Sequence, residues 1–369
     1  MTPQRLVIKV GTSTITTRDG LNGKVLMRLA MAVSDLVERG WRVVIVTSGA
    51  VGAGRFRLGM SHRPRTLPEK QAAAAVGQGR LMHAYESVLA PLGLASAQIL
   101  LTRADLADRQ RYLNASNTLQ TLLDFDPPVV PVINENDSVA VDELKVGDND
   151  TLSALVAQMI EAQWLVIFSD VDGLYDANPN DNPEARLLRE VPEITPEIEA
   201  LAGGSGSDVG TGGMVTKLAA AKIATSSGIP MMLMTGREPE RLIDLIDGRE
   251  PMGTKFLPRT DRMESRKRWL AYGMAPKGAL VLDDGAVQAL RQGGKSLLPA
   301  GISRLDGEFT AGDTVRLMTP DGHELARGIT NYSSDEIARI TGRKSAEIET
   351  ILGYKPADEV IHRDNLALL

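Results

Sequence analysis

Five stretches gather the residue types that do chemistry, and four of them sit where an apolar run ends. Lys9 precedes Gly11-Thr12-Ser13, a turn whose backbone N–H groups can face an anion while the ammonium adds a full charge. An edge lysine beside a tight turn would give the same letters. Ser48-Gly49-Ala50-Val51-Gly52 is a second glycine turn, where small residues let a ligand approach the backbone and the Ser48 hydroxyl can hold a carboxylate. Glycine packing of a helix is the competing account, and the spacing of Gly49, Gly52 and Gly54 is not a dinucleotide fingerprint. Gly210-Thr211-Gly212-Gly213-Met214-Val215-Thr216-Lys217 opens onto an amphipathic run. There, backbone amides, a helix dipole and Lys217 together suit a phosphate, although the spacing is not that of a Walker A loop. A surface loop is the alternative, but glycines entering a helix with Thr and Lys fit phosphate better. Ser169-Asp170 ends another apolar run, where a nucleotide base or ribose often sits. The following Asp172-Gly173 lacks the spacing of a calcium loop.

The fifth stretch, residues 134–150, carries Glu135, Asp137, Asp142, Glu143, Asp148 and Asp150 against the single base Lys145. A divalent-metal cluster and a polar pocket for a small molecule both suit such a composition.

These stretches need a scaffold that brings them to one edge. Near-continuous Val/Ile/Leu runs at 5–10, 41–46, 96–101, 129–133, 164–168 and 231–234 alternate with helical periodicity at 25–37, 69–89, 106–123, 152–160 and 214–226. Strands of that kind, separated by helices, predict an α/β fold with an open, mostly parallel sheet sandwiched by helices. In such a sheet four of the stretches fall at the carboxyl ends of strands, where ligands bind, and residues 210–217 open a helix. The pattern stops after Phe256, and residues 259–275 alternate charges with no apolar face. Shorter β-rich segments follow at 279–282, 314–317, 329–332 and 360–361, with Gly-containing turns. The expected organisation is a first domain over 1–258, a linker over 259–275 and a small, mostly-β domain over 276–369.

Composition removes several classes of chemistry. The 369 residues contain no cysteine, which excludes thiolate catalysis and disulfides and fits a reducing, cytoplasmic setting. His62, His83, His323 and His362 lie far apart without metal-ligand spacing. A net charge of −6 argues against a polyanion-coating protein. No apolar run approaches the ~20 residues of a membrane helix, and the first strand begins too early for a signal peptide to precede it.

Taken together, Lys9-Val10-Gly11-Thr12-Ser13, Val46-Thr47-Ser48-Gly49-Ala50, Leu101-Thr102-Arg103-Ala104-Asp105, Pro131-Val132-Ile133-Asn134-Glu135-Asn136-Asp137, Lys145-Val146-Gly147-Asp148-Asn149-Asp150 and residues 210–217 resemble the amino-acid kinase family, and closely its glutamate-kinase branch. Residues from about 276, marked by Leu297-Leu298-Pro299-Ala300-Gly301-Ile302, look like a PUA domain. The resemblance implies phosphorylation of the side-chain carboxylate of L-glutamate by ATP with Mg²⁺, for proline synthesis and under inhibition by proline. It implies Lys9, Lys217 and Asp150 as catalytic residues, and Ser48, Asp137, Asp148 and Asn149 as glutamate-binding. It further implies Lys9, Ser169, Asp170, Thr211, Gly212, Gly213, Met214 and Lys217 as ATP-binding, no protein-held metal, and a homo-oligomer, dimer or tetramer. Other family substrates (acetylglutamate, aspartate, carbamate, a nucleoside monophosphate) are the near alternatives. A PUA domain also raises RNA binding as a rival. Residues 275–369 hold 11 Lys+Arg against 14 Asp+Glu, a net of 11 − 14 = −3, and an RNA surface wants the opposite sign.

Overall fold

Apolar side chains on both faces of a strand leave it no choice but to be covered on both sides. The computed structural model shows this for the centre of the N-terminal unit. It describes residues 3–17, 20–139, 149–179, 182–202, 213–249, 253–258, 276–292 and 295–368. The chain divides into two units, Met1–Thr260 and Asp261–Leu369.

In the first unit, β1 (Arg5–Val10), β2 (Arg42–Thr47), β3 (Ser96–Leu101), β4 (Val130–Glu135), β5 (Trp164–Ser169), β6 (Glu190–Val191), β7 (Met231–Thr235) and β8 (Thr254–Phe256) form one eight-stranded sheet, ordered β3-β4-β2-β1-β5-β7-β8-β6. The six strands from β3 to β7 are parallel, and β8 runs antiparallel to β7. The chain leaves β1 toward β2 on one side and leaves β5 toward β7 on the other. Their carboxyl ends therefore part at a topological switch point, where open α/β sheets bind ligands.

Two apolar cores fill the faces. One packs Leu6, Ile8 and Ile45 against α1 (Gly23–Glu38) and Leu81 and Tyr85 of the long helix beside it. The other packs Val7, Val44 and Ile167 against α5 (Asn149–Met159) and α6 (Met214–Ser226). Each fully buried Leu, Ile or Val contributes about 1.5–3 kcal/mol. α1 begins at Asn22, whose side chain accepts from the Val25 N–H at 3.3 Å, and Gly40 follows its end at φ 85°.

α2 (Ala50–Arg57) and α3 (Leu67–Leu89) approach so closely that only glycine fits between them. A Cβ on Gly54 would stand 1.7 Å from the Ala73 carbonyl oxygen, and one on Gly77 would stand 1.7 Å from that of Ala50. Of the glycines after β2, Gly54 thus serves helix packing. Gly49 instead caps α2 in the left-handed region, at φ 101°.

The helix expected over 106–123 is two. Arg103–Ala107 stops at Asp108, whose backbone is extended and whose carboxylate accepts from Arg111 N–H at 2.9 Å, starting α4 (Arg109–Asp124). An aspartate that ends one helix while capping the next keeps the apolar period and breaks the axis. α5 begins three residues before the apolar run that betrayed it, so Asn149 and Asp150 lie in its first turn.

The second unit is a five-stranded sheet, ordered β10-β9-β11-β12-β13, of β9 (Gly278–Leu282), β10 (Ile302–Asp306), β11 (Thr314–Met318), β12 (Glu324–Ile329) and β13 (Leu366–Leu368). α7 (Asp284–Arg291) and α8 (Ser334–Ile340) help to enclose its own core around Leu280, Leu317, Tyr332 and Ile361. The strand expected at 329–332 ends at Ile329, after which Thr330 turns the chain by accepting from the Tyr332 N–H at 3.2 Å. Residues 360–361 make only one isolated bridge, Leu297 to Ile361, and are buried without being a strand.

Candidate active site

The central strand β1 presents Lys9 one residue before its end, and Lys9 is 4% exposed. A lysine buried this deeply needs an anion, because desolvating an unpaired ammonium is costly. It finds Asp150, fully buried in the first turn of α5, with Nζ 2.5 Å from Oδ1. The other carboxylate oxygen faces α6, where Lys217 Nζ lies 3.4 Å from Oδ2 and the Thr216 hydroxyl donates to it at 2.9 Å. Three elements that meet only through tertiary packing thus converge on one carboxylate. Two ammonium groups thus share one carboxylate, held where water is scarce. Asp150 gains besides from standing at a helix N-terminus.

α6 starts at Gly213, which has no side chain to cap the first N–H groups of this thirteen-residue helix. Neither space nor dihedral demands glycine there: φ is −75° and a Cβ would meet nothing within 4 Å. Glycine is a favoured N-cap residue, and it leaves room for a ligand to approach the backbone. Met214, half-buried, is the first residue of the helix, while Thr211 and Gly212 lie outside the described residues. Across the switch point, the Ser169 hydroxyl donates to Asp170 at 3.1 Å beyond β5, with Asp170 exposed.

On the other side of β1 lies a pocket of amides. Asn149 Nδ2 donates to the Thr47 carbonyl at 2.9 Å, to Ser48 Oγ at 2.8 Å and to Asn134 Oδ1 at 3.1 Å. The Thr47 hydroxyl pairs in turn with the Tyr85 phenol at 2.9 Å. Burial pushes that phenol well above its ordinary range, only partly offset by the bond from Thr47, so it stays neutral and structural. Asp137 is half-buried in the turn after β4. Asp148, Asp142, Glu143 and Lys145 lie outside the described residues.

Among the described residues no group of three or more His, Asp or Glu gathers as a metal site. Asp150, the buried carboxylate at the centre, has its oxygens turned to Lys9, Lys217 and Thr216.

The model of the amino acid kinase family matches residues 4–235, the whole span from β1 to β7. The chain belongs to the amino acid kinase family. The model of the PUA domain matches residues 278–352 of the second unit. A glutamate 5-kinase of Geobacter sulfurreducens is 55% identical over 367 residues, covering 99% of this chain and 98% of that protein. A glutamate 5-kinase of Moorella thermoacetica is also 55% identical, over 99% and 96%. Among solved structures, a carbamate kinase from Giardia lamblia bound to AMP-PNP superposes with a TM-score of 0.51 at 17% identity, over 70% of this chain and 99% of that one. At that identity the likeness shows the amino acid kinase fold alone.

Two residues of this candidate site, Thr216 and Asn134, have no individual role in the sequence reading. Thr216 carried a signal, since it stands beside Lys217 at the head of a helix. Asn134 carried less: its type fitted the amide-rich run, but nothing in the run told which amides would touch. The motif Leu101-Thr102-Arg103-Ala104-Asp105 has a local structural use. Thr102 and Asp105 cap each other's backbone N–H groups, at 3.2 and 2.7 Å, and start the short helix after β3.

Proposed function

We propose that the chain transfers the γ-phosphoryl group of ATP to the side-chain carboxylate of L-glutamate, giving γ-glutamyl phosphate, the first step toward proline. The observation that carries this reading is the buried Lys9–Asp150–Lys217 triad at the switch point. Phosphoryl transfer asks the protein mainly for positioning and for cations around the transferred group. Lys9 and Lys217 provide those cations from separate elements, and Asp150 keeps both ammonium groups aimed. A glutamate side chain has a pKa near 4.3, so the nucleophile is ionised at neutral pH and needs no general base. The absence of histidine from every motif agrees with that demand. Magnesium, entering with ATP, supplies further neutralisation of the phosphate oxygens.

In this reading Ser48, Asp137, Asp148 and Asn149 hold glutamate. Lys9, Ser169, Asp170 and residues 211–217 hold ATP, with its phosphates against the uncapped start of α6. The two kinds of pocket flank β1, so the carboxylate and the phosphoryl group meet over Lys9. Proline acts as a feedback inhibitor, the protein works in the cytoplasm as a homo-oligomer, and the two units correspond to a kinase domain over 1–258 and a PUA-like domain over 276–369.

An ATP-dependent hydroxamate assay with glutamate, aspartate and acetylglutamate side by side tests the substrate. Product from glutamate alone is expected, and product from another acceptor with none from glutamate would overturn the assignment. Within the same assay, Asp137→Ala is expected to raise KM for glutamate about tenfold or more while leaving KM for ATP within about twofold, as loss of a charge-assisted bond to substrate predicts.

A further inference from the structure

The amides behind Ser48 form a chain whose direction is set by the backbone. At each amide, oxygen and nitrogen are told apart by what they face. A backbone N–H can only donate, so the atom of Asn134 that lies 2.9 Å from Glu135 N is its oxygen. A carbonyl can only accept, so the atom of Asn149 that lies 2.9 Å from the Thr47 oxygen is its nitrogen. These two anchors agree across the 3.1 Å bond from Asn149 Nδ2 to Asn134 Oδ1. The polarity then runs outward: Asn134 Nδ2 must face an acceptor, and it donates to Gln78 Oε1 of α3 at 2.9 Å. Gln78 Nε2 points on to Gln98 Oε1 of β3 at the longer distance of 3.4 Å. Asn134 is 2% exposed, so its amide depends on protein partners in the intact structure.

Two consequences reach the pocket. Asn149 Oδ1 is buried and meets no donor among the described residues. An acceptor left in that condition costs about 1–3 kcal/mol unless a ligand fills it. Ser48 Oγ, meanwhile, accepts from Asn149, which frees its single proton to donate elsewhere. A fixed acceptor beside a fixed donor matches the ammonium and the carboxylate of a free α-amino acid.

We propose that Gln78 and Asn134 are positioning residues for the amino-acid substrate: they hold Asn149, whose amide polarity the backbone sets, in the place where it reads the α-ammonium group. The proposal rests on the glutamate-kinase reading above and adds to it the origin of selectivity for an unmodified amino group. Gln78 lies on the outer helix α3, touches no reacting atom, and acts only through Asn134.

The test uses the full chain and three variants at Gln78, assayed for glutamate, for ATP, and for inhibition by glutarate, which is glutamate without the ammonium. Gln78→Glu keeps an acceptor for Asn134 Nδ2 and is expected to behave within about twofold of the parent. Gln78→Ala removes the acceptor and Gln78→Lys sets donor against donor. Both are expected to raise KM for glutamate about five- to tenfold, the worth of one such bond, with kcat and KM for ATP little changed and inhibition by glutarate unmoved. The preference for glutamate over glutarate therefore narrows. A merely structural role for Gln78 would weaken both dicarboxylates together, or would lower thermal stability with KM intact, and either result overturns the proposal. If Gln78→Ala fails to fold, the Glu and Lys variants, similar in length and opposite in polarity, decide the matter alone. A parent protein that turns over no glutamate would instead overturn the functional reading, which separates the two failures.

Discussion

A buried carboxylate facing two ammonium groups fixes cations where water would otherwise scatter them. Asp150 does this for Lys9 and Lys217, and the cost of burying all three is recovered only if the geometry holds. Lys217→Ala is expected to lower kcat about 10²–10³-fold, the usual effect of removing one preorganised donor, in a steady-state assay with saturating ATP. Asp150→Asn keeps the shape but removes the charge that both lysines share. It should destabilise the fold by about 3–5 kcal/mol in urea melts and lower kcat by at least ~10²-fold. A variant with normal melting and normal turnover would remove the triad from the mechanism. The residue types of this site were legible one stretch at a time, most with a structural alternative, and it was six motifs in one order that pointed to a common site. The pairing was not legible. Positions 9, 150 and 217 come from a strand and two helices, and no local period relates them. The Thr216 bond to Asp150 and the Asn134 bond to Asn149 are likewise products of packing, invisible to spacing.

At the scale of elements, the tight crossing of α2 on α3 governs where Ser48 stands. Gly49 and the first turn of α2 follow Ser48 directly, and α2 is pinned by backbone contact at Gly54 and Gly77. Gly77→Ala would place a methyl inside the Ala50 carbonyl and force the helices apart. The expected cost is about 3 kcal/mol, seen as a Tm lower by roughly 6–12 °C, with KM for glutamate raised because the Ser48 turn moves. Gly79→Ala is the control: its Cβ meets nothing within 4 Å, so Tm should hold or rise slightly. The alternation of strands and helices could be read from the chain because buried parallel strands are apolar on both faces. The break at Asp108 could not, since a single capping residue between two helices leaves the apolar period intact. Nor could β6 and β8, of two and three residues, which are too short to show any period and exist only because a neighbouring edge offers them hydrogen bonds.

For the whole molecule, the second unit stands on its own core, and its charge points away from nucleic acid. Residues 275–369 carry a net of 11 − 14 = −3. Filter-binding titrations of the intact protein with single- and double-stranded RNA at low salt are expected to show no tight complex. A salt-sensitive affinity would instead give the PUA domain an electrostatic role. The place of β1 in the sheet has a consequence in time. β1 is synthesised first, yet it lies in the middle, with Arg5 to Val10 bonded to β2 on one side and Leu6 to Val10 bonded to β5 on the other. On a ribosome the β5 side stays open until Trp164–Ser169 emerge, and Lys9 waits almost as long for Asp150. Such distant pairings make folding slow and leave an apolar strand edge bare during translation. The nascent chain therefore passes through a long interval in which a strand destined for burial has a bare edge, and the Lys9–Asp150–Lys217 cluster assembles only after residue 217 has emerged.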